Sequence, residues 1–320
     1  MQLLTPDTVD FAAYMRETEG KQNVRPAKLY VQELIDELGT ESTERRAYLP
    51  WEKTHNLIQF RPGEVTLWGG VNGHGKSLMT GMASLSLMAQ DEKVCIASFE
   101  MKPKTTLARM ARQWSAESPQ GEFSNDPRVV EAFRDLFGQF RDFTDRRLWL
   151  YDQQGTVETK MLIGVIRYCA KELGITHFFI DSLMKCVAAE DDYNGQKAFV
   201  DEITAIARDH GMHIHLIHHI RKLSSEEQTP DKTDVKGSGS ITDQVDNVML
   251  VWRNKKKERD FQSGKKVTET EPDALLICDK QRNGEWEGRI SLWFDKVSQQ
   301  FVPAYGCEPL ALYNWPHRRA

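Results

Sequence analysis

The chain has 320 residues, of which 40% are hydrophobic and 28% charged, and its formal net charge at pH 7 is −5. That balance excludes an intrinsically disordered chain and a globally basic nucleic-acid binder, so any contact with a polyanion has to be local. Five cysteines (Cys95, Cys169, Cys186, Cys278, Cys307) lack C-x-x-C spacing and read as reduced thiols rather than a disulfide or zinc framework.

The opening stretch MQLLTPDTVDFAAYMRE carries acids and no long apolar run, so neither a signal peptide nor a membrane span is expected. Residues 1–50 read as an N-terminal extension. Within it AKLYVQELIDELG (27–39) predicts a helix whose Ala27, Tyr30, Val31, Leu34, Ile35 and Leu38 form an apolar stripe. That stripe must be buried, either on its own domain or on a second copy of the chain. From residue 51 to 320 one main domain is expected. EVTLWGG (64–70) predicts a strand and SLMTGMASLSLMAQ (77–90) a helix. KVCIASFE (93–100) is the next strand, and TTLARMARQWSAE and DPRVVEAFRDLFGQFRDF are helical by their apolar spacing. LWLYDQ is a strand, TVETKMLIGVIRYCAKELG a helix closed by Gly174, and THFFIDSL a strand. QKAFVDEITAIARDHG is a helix ending at Gly211, and HIHLIHHI, NVMLVWRN, ALLICDK and RISLWFD are further strands. Strands apolar on both faces, alternating with helices, predict an α/β fold with a mostly parallel central sheet covered on both faces. RKLSSEEQTPDKTDVKGSGS (221–240) predicts a long mobile loop. RNKKKERDFQSGKKVTETEPD predicts a solvated hairpin. Its residues 253–271 hold seven bases and four acids, a net of only +3.

The most specific local signal is Gly70-Val71-Asn72-Gly73-His74-Gly75-Lys76-Ser77, which fits G-x-x-x-x-G-K-[ST] between a strand and a helix. Gly70, Gly73 and Gly75, with Asn72 between them, let backbone N–H groups wrap an anion. The following helix adds its dipole. Lys76 can reach β- and γ-phosphates, and the Ser77 hydroxyl can join the shell of Mg²⁺. This is a site for ATP or another nucleoside or deoxynucleoside triphosphate. Asp181, after HFFI, fits a carboxylate that holds Mg²⁺ through water. Glu100, ending KVCIASFE, is placed to polarise an attacking water. HIHLIHH invites a zinc reading. However, His213 and His215 share one strand face while His218 and His219 diverge, and no carboxylate or cysteine stands at ligand spacing.

SFEM (98–101), HFFIDSL (177–183), HLIHHIRK (215–222), VKGSGSITDQVDN (235–247) and CDKQRNG (278–284) follow the phosphate loop in this order. Together, over roughly residues 50–300, they resemble the RecA-like ATPase domain of DnaB-type replicative helicases, including phage ring helicases and mitochondrial Twinkle. The resemblance implies a RecA-like P-loop NTPase core that assembles as a homo-hexamer and moves on single-stranded DNA, 5′ to 3′. It casts Glu100 as the catalytic glutamate, Asp181 as the Walker-B acid and His219 as the γ-phosphate sensor. Lys236, Gly237, Ser238 and Gly239 become the loop tracking the DNA backbone. Lys280 and Arg282 become a lysine and an arginine finger reaching the neighbouring subunit's site. A net-acidic protein then binds DNA because only the channel lining is basic. It further implies a cytoplasmic setting, that of a bacterial host if phage-encoded, and a separate primase, polymerase or loader as partners. The 50 residues before the motor hold no cysteine and no second catalytic motif, so primer synthesis is expected from another protein or not at all. The competing readings are a RecA-like recombination ATPase that does not separate strands, and a binding module that uses ATP only as an assembly switch.

Overall fold

A computed structural model describes residues 2–4, 27–37, 46–120, 124–187, 189, 191–225, 227–237 and 239–314. In chain order the strands are β1 (Gln2–Leu4), β2 (Val65–Gly70), β3 (Val94–Ser98), β4 (Leu148–Tyr151), β5 (His177–Asp181), β6 (His213–His219), β7 (Asn247–Arg253), β8 (Ala274–Gln281), β9 (Gly288–Asp295) and β10 (Gln300–Val302). The α-helices are α1 (Ala27–Glu37), α2 (Lys76–Ala89), α3 (Pro103–Ser115), α4 (Pro127–Thr144), α5 (Thr159–Tyr168), α6 (Tyr193–His210), α7 (Ser240–Gln244) and α8 (Lys255–Gln262).

The strands form one sheet in the order β1-β4-β3-β5-β6-β2-β7-β8-β9-β10. Pairing is parallel from β1 to β7 and antiparallel from β7 to β10. The expected mostly parallel α/β architecture is therefore present. Side chains alternate across each strand. Val65, Leu67, Phe178, Ile180, Ile214 and Leu216 enter one core with residues of α5 and α6. Trp68, Phe179, Ile217 and Met249 enter the other with residues of α2 and α3. Burial on both faces is why these strands read as unbroken apolar runs.

Helix ends follow local chemistry. Asp126 and Asp192 accept N–H bonds from Arg128 (2.8 Å) and Gly195 (2.9 Å) at the starts of α4 and α6. Gly211, at φ +61°, closes α6 in the left-handed conformation that favours glycine. The helix ending at Gly174 relaxes into a π-turn over Cys169–Leu173.

The structure corrects one expectation outright: 253–273 contains helix α8 and not a hairpin. Asn254 accepts the Lys257 N–H (2.9 Å), and Lys255 pairs with Glu258 (2.8 Å) one turn away. KKKERDFQ is made of helix formers and lacks a strand partner. The hairpin that does exist is made by its flanks, β7 and β8, with Arg253 opposite Ala274. The polar stretch 221–240 is also tied down in part. Val235 bridges Ile220, Asp231 and Asp234 form a capping box, and the Lys232 N–H donates to Asp279 (2.6 Å).

Near the N-terminus, β1 adds an edge strand that three residues are too few to announce by periodicity. Ala47, Leu49 and Trp51 are core residues, and the Trp51 indole N–H donates to the Phe301 carbonyl (2.8 Å). On α1, Val31 and Ile35 are 52% and 51% exposed, so the described part of the domain leaves them uncovered. Leu38 of the expected stripe lies outside the described residues.

Candidate nucleotide site and the loops around it

The order β3-β5-β6-β2 sets the carboxyl ends of four parallel strands side by side. Ser98 is level with Asp181, Asp181 with Ile217, and His219 with Gly70. Glu100, Asp181, His219 and the phosphate loop thus meet in one crevice, where ligands of open α/β sheets bind. The loop needs its glycines at defined places. Gly73 (φ +78°) and Gly75 (φ +90°) occupy left-handed backbone. A Cβ on Gly70 would lie 2.8 Å from the Val251 carbonyl oxygen and 3.0 Å from Lys76 Cγ. Asn72 is exposed at the rim.

The Lys76 ammonium folds back onto the loop, donating to the carbonyls of Gly70 (2.8 Å) and Val71 (3.3 Å). Burial pulls its pKa down to about 8, against the opposing pull of Asp181 and Glu100. The Ser77 hydroxyl donates to Asp181 Oδ2 (3.2 Å). Burial, reinforced by the Glu100 charge, pushes the Asp181 carboxyl up to about 6, while Ser77 and Lys76 oppose the rise. Two oxygen donors at a crevice floor, one of them a carboxylate short of positive charge, fit a hard divalent cation such as Mg²⁺. Glu100 Oε1 accepts the Ser182 hydroxyl (3.2 Å) and lies 3.7 Å from His219 Nε2. Burial and then the Lys76 charge hold His219 below the ordinary imidazole pKa.

The loop after β6 is anchored to the same strand end. The Lys236 N–H donates to the His219 carbonyl (3.1 Å), and the His218 imidazole Nε2–H donates to the Lys236 carbonyl (2.8 Å). Gly237 sits at φ +93°, and a Cβ there would strike Gln196 Oε1. Gly239 caps α7, and Ser238 lies outside the described residues.

Lys280 and Arg282 do not join this cluster. β8 runs antiparallel to β7, so Gln281 pairs with Asn247, which is level with Thr66 at the start of β2. From there to the phosphate loop is most of the length of β2, about 15 Å at 3.3 Å per residue. The Lys280 ammonium donates to carbonyls of its own chain, and Arg282 pairs with Asp246 (3.0 Å).

Several neighbours carried no signal in the sequence. His74, an unspecified position of the motif, is buried, and its Nδ1 accepts the Arg253 N–H (3.2 Å). Beside it a cavity of about 370 Å³ opens, with Arg253, Phe261, Trp293, Phe294 and Tyr305 in its wall. The Arg253 guanidinium stands 4.2 Å from the Phe294 ring centre. The histidines at the other end of β5 and β6 belong to the core. His177 Nδ1 and His215 Nε2 are 3.1 Å apart, and Phe179 stacks on His215 at 4.0 Å. Among the described residues no group of three His, Cys, Asp or Glu is arranged to hold a metal ion, and no helix is long and apolar enough to cross a membrane.

The family described as DnaB-like helicase C terminal domain matches residues 55–303. A DNA helicase/primase of Enterobacteria phage T3 is 23% identical over 209 residues, which is 61% of this chain and 36% of that protein. The chain thus spans about a third of the length of that curated relative. Among solved structures, a DnaB-like replicative helicase described with its primase interactions superposes with a TM-score of 0.71 at 15% identity. The alignment covers 88% of this chain and 67% of that one. A second solved structure, an isolated ATPase domain, gives 0.69 at 17% identity, covering 89% of this chain and 99% of that one. At such identities the likeness is one of fold.

Proposed function

We propose, from the premise that this chain belongs to the DnaB-like helicase C-terminal domain family, that it is the motor of a replicative DNA helicase. It works as a ring, most simply a homo-hexamer, that hydrolyses ATP or a related triphosphate between subunits while moving on single-stranded DNA. The observation that carries this reading is the separation of the two halves of the machinery. The phosphate loop, Glu100, Asp181 and His219 lie at the carboxyl ends of the central strands and Arg282 lies near their opposite ends, so in this reading Arg282 serves a neighbour's site and a neighbour's Arg282 serves this one.

In this reading the backbone of Gly70, Asn72, Gly73 and Gly75 wraps the phosphates. Lys76 leaves the Gly70 and Val71 carbonyls for the β- and γ-phosphates, and a polyanion restores the proton affinity that burial weakened. Ser77 and Asp181 hold Mg²⁺, which when bound offsets phosphate charge. Glu100 takes a proton from the attacking water. The γ-phosphate competes with Glu100 for His219, its release restores the contact between the two side chains, and that signal reaches Lys236 through one backbone bond. The loop Lys236, Gly237, Ser238 and Gly239 follows the DNA backbone with N–H groups and one cation, reading no bases. Arg282 stabilises transition-state charge in the adjacent subunit. The aromatic wall beside His74 receives the nucleobase by stacking.

Of the N-terminal 50 residues, Gln2–Leu4 pair with the motor's sheet and Ala47 and Leu49 enter its core, while α1 serves as the linking helix, with Val31 and Ile35 buried on a neighbouring copy. A primase is the first further partner to seek, since one structural neighbour is described with its primase. The test is subunit mixing. Arg282→Ala and Lys76→Ala rings should each lose most of their ATPase while keeping a measurable remainder, and mixed rings regain part of the loss because some interfaces pair an intact loop with an intact finger. No recovery at any ratio overturns hydrolysis in trans. DNA-stimulated hydrolysis without unwinding of a forked duplex favours the recombination ATPase instead.

A further inference from the structure

The two cations at the end of β8 are bonded differently, and the difference matters. The Lys280 ammonium donates to three carbonyls: Thr242 (2.8 Å), Asp243 (3.0 Å) and Val245 (2.8 Å). An ammonium has three protons, so its donors are filled. These acceptors lie at the end of α7, where a helix leaves carbonyls without internal partners. Arg282 donates from one terminal nitrogen to the carbonyls of Asp243 (2.9 Å) and Gln244 (3.4 Å) and from the other to Asp246 Oδ1 (3.0 Å). A guanidinium has five N–H groups, so donors remain for an anion from outside.

Asp246 is 3% exposed and joins three elements. Its Oδ2 accepts the Val65 N–H (2.9 Å) at the start of the phosphate-loop strand. Its backbone N–H donates to the Val65 carbonyl (2.9 Å), and its carbonyl accepts the Arg282 N–H (2.9 Å). Arg208, at the end of α6, stands 3.8 Å from Oδ1. At its other end α7 begins at once after the loop 236–239, with Gly239 as its cap. One five-residue helix thus has the loop at its start and both cations at its end.

We infer that Asp246 is the positioning residue of Arg282, and that Lys280 locks the last turn of α7, so that loop 236–239 and the guanidinium move as one unit. The inference rests on the reading of Arg282 as a group lent to the next subunit. A pull on the loop by the DNA backbone carries the carbonyls of α7, and with them Lys280 and Arg282. Engagement of Arg282 by a neighbour's phosphates sends the displacement back. Asp246 supplies the pivot, because its other oxygen is held by the strand that carries the loop of its own site.

The test uses the whole chain with Mg-ATP and a single-stranded oligonucleotide. Asp246→Asn keeps the shape and one acceptor oxygen, which the Val65 N–H can hold, and turns a donor NH2 in place of a charged acceptor toward Arg282. DNA-stimulated turnover is expected to fall about tenfold, the worth of a charged hydrogen bond. Affinity for a fluorescent ATP analogue should stay unchanged. The D246N/R282A double variant should be no slower than R282A alone. Rings mixing D246N with K76A subunits should regain ATPase, because the damage lies in the donated group. Additive losses, or weaker nucleotide binding by D246N subunits, overturn the positioning role. Full activity of R282A overturns the reading of function beneath it instead. Hydrogen exchange tests the lock by itself, even if D246N fails to fold. Lys280→Ala should speed amide exchange across 240–247 about tenfold while α2 stays protected. Unchanged protection of 240–247 overturns the lock.

Discussion

Replacing Asp181 with Asn should stabilise the nucleotide-free protein while abolishing its hydrolysis. Burial raises the Asp181 carboxyl from 3.8 to about 6, with the Glu100 charge adding to the rise. The folded protein therefore holds this proton more tightly than the unfolded chain does. Stability falls as pH rises from about 4 to about 6, and above that the ionised carboxylate costs about 3 kcal/mol. Asn keeps the size and an oxygen for the Ser77 hydroxyl but carries no charge. At pH 8 the variant should gain up to that amount, about 5–10 °C in melting temperature for a domain of this size. At pH 4.5 the wild-type carboxyl is largely protonated, so the gain should shrink to about a third. The assay is thermal unfolding in EDTA without nucleotide, because Mg²⁺ or nucleotide bound to the wild type would mask the difference. An equal gain at both pH values, or a loss at pH 8, refutes the claim that a buried uncompensated carboxylate waits for a cation here.

Glu100→Gln should leave nucleotide binding and assembly intact while hydrolysis falls at least about 100-fold, measured by phosphate release beside nucleotide titration. Near-wild-type turnover would assign the proton transfer elsewhere and favour a module that uses ATP only to assemble. Gly75→Ala puts a side chain at φ +90° with its Cβ 3.0 Å from Phe301 Cζ, so stability should drop by about 1–2 kcal/mol, and nucleotide affinity with it. Chemical denaturation of G75A checks this, and an unchanged midpoint removes the steric argument. Lys236→Ala should reduce DNA-stimulated turnover far more than basal turnover. Equal reductions would make 236–239 a purely structural turn.

Much of the site is legible in the chain because its requirements are contiguous. Gly73, Gly75, Lys76 and Ser77 sit within five residues, and glycine is the residue that readily adopts the backbone the loop needs at two of them. Glu100 and Asp181 could be found because each follows an apolar run that ends a buried strand. The same reasoning failed at 253–273. There the charge pattern suggests a solvated hairpin, whereas the Asn254 cap starts a helix.

The sequence by itself therefore determines which residues line each strand end and which loop can wrap a phosphate, since these depend on neighbours a few bonds away. The tertiary structure alone decides the strand order, and with it that Glu100, Asp181 and His219 share one crevice while Arg282 stands near the opposite ends of the strands. It alone joins Asp246 to Val65, 181 residues apart, and sets Arg253 and Phe294 beside His74. Such contacts come from pairing across the sheet, where no local propensity or spacing specifies the partner.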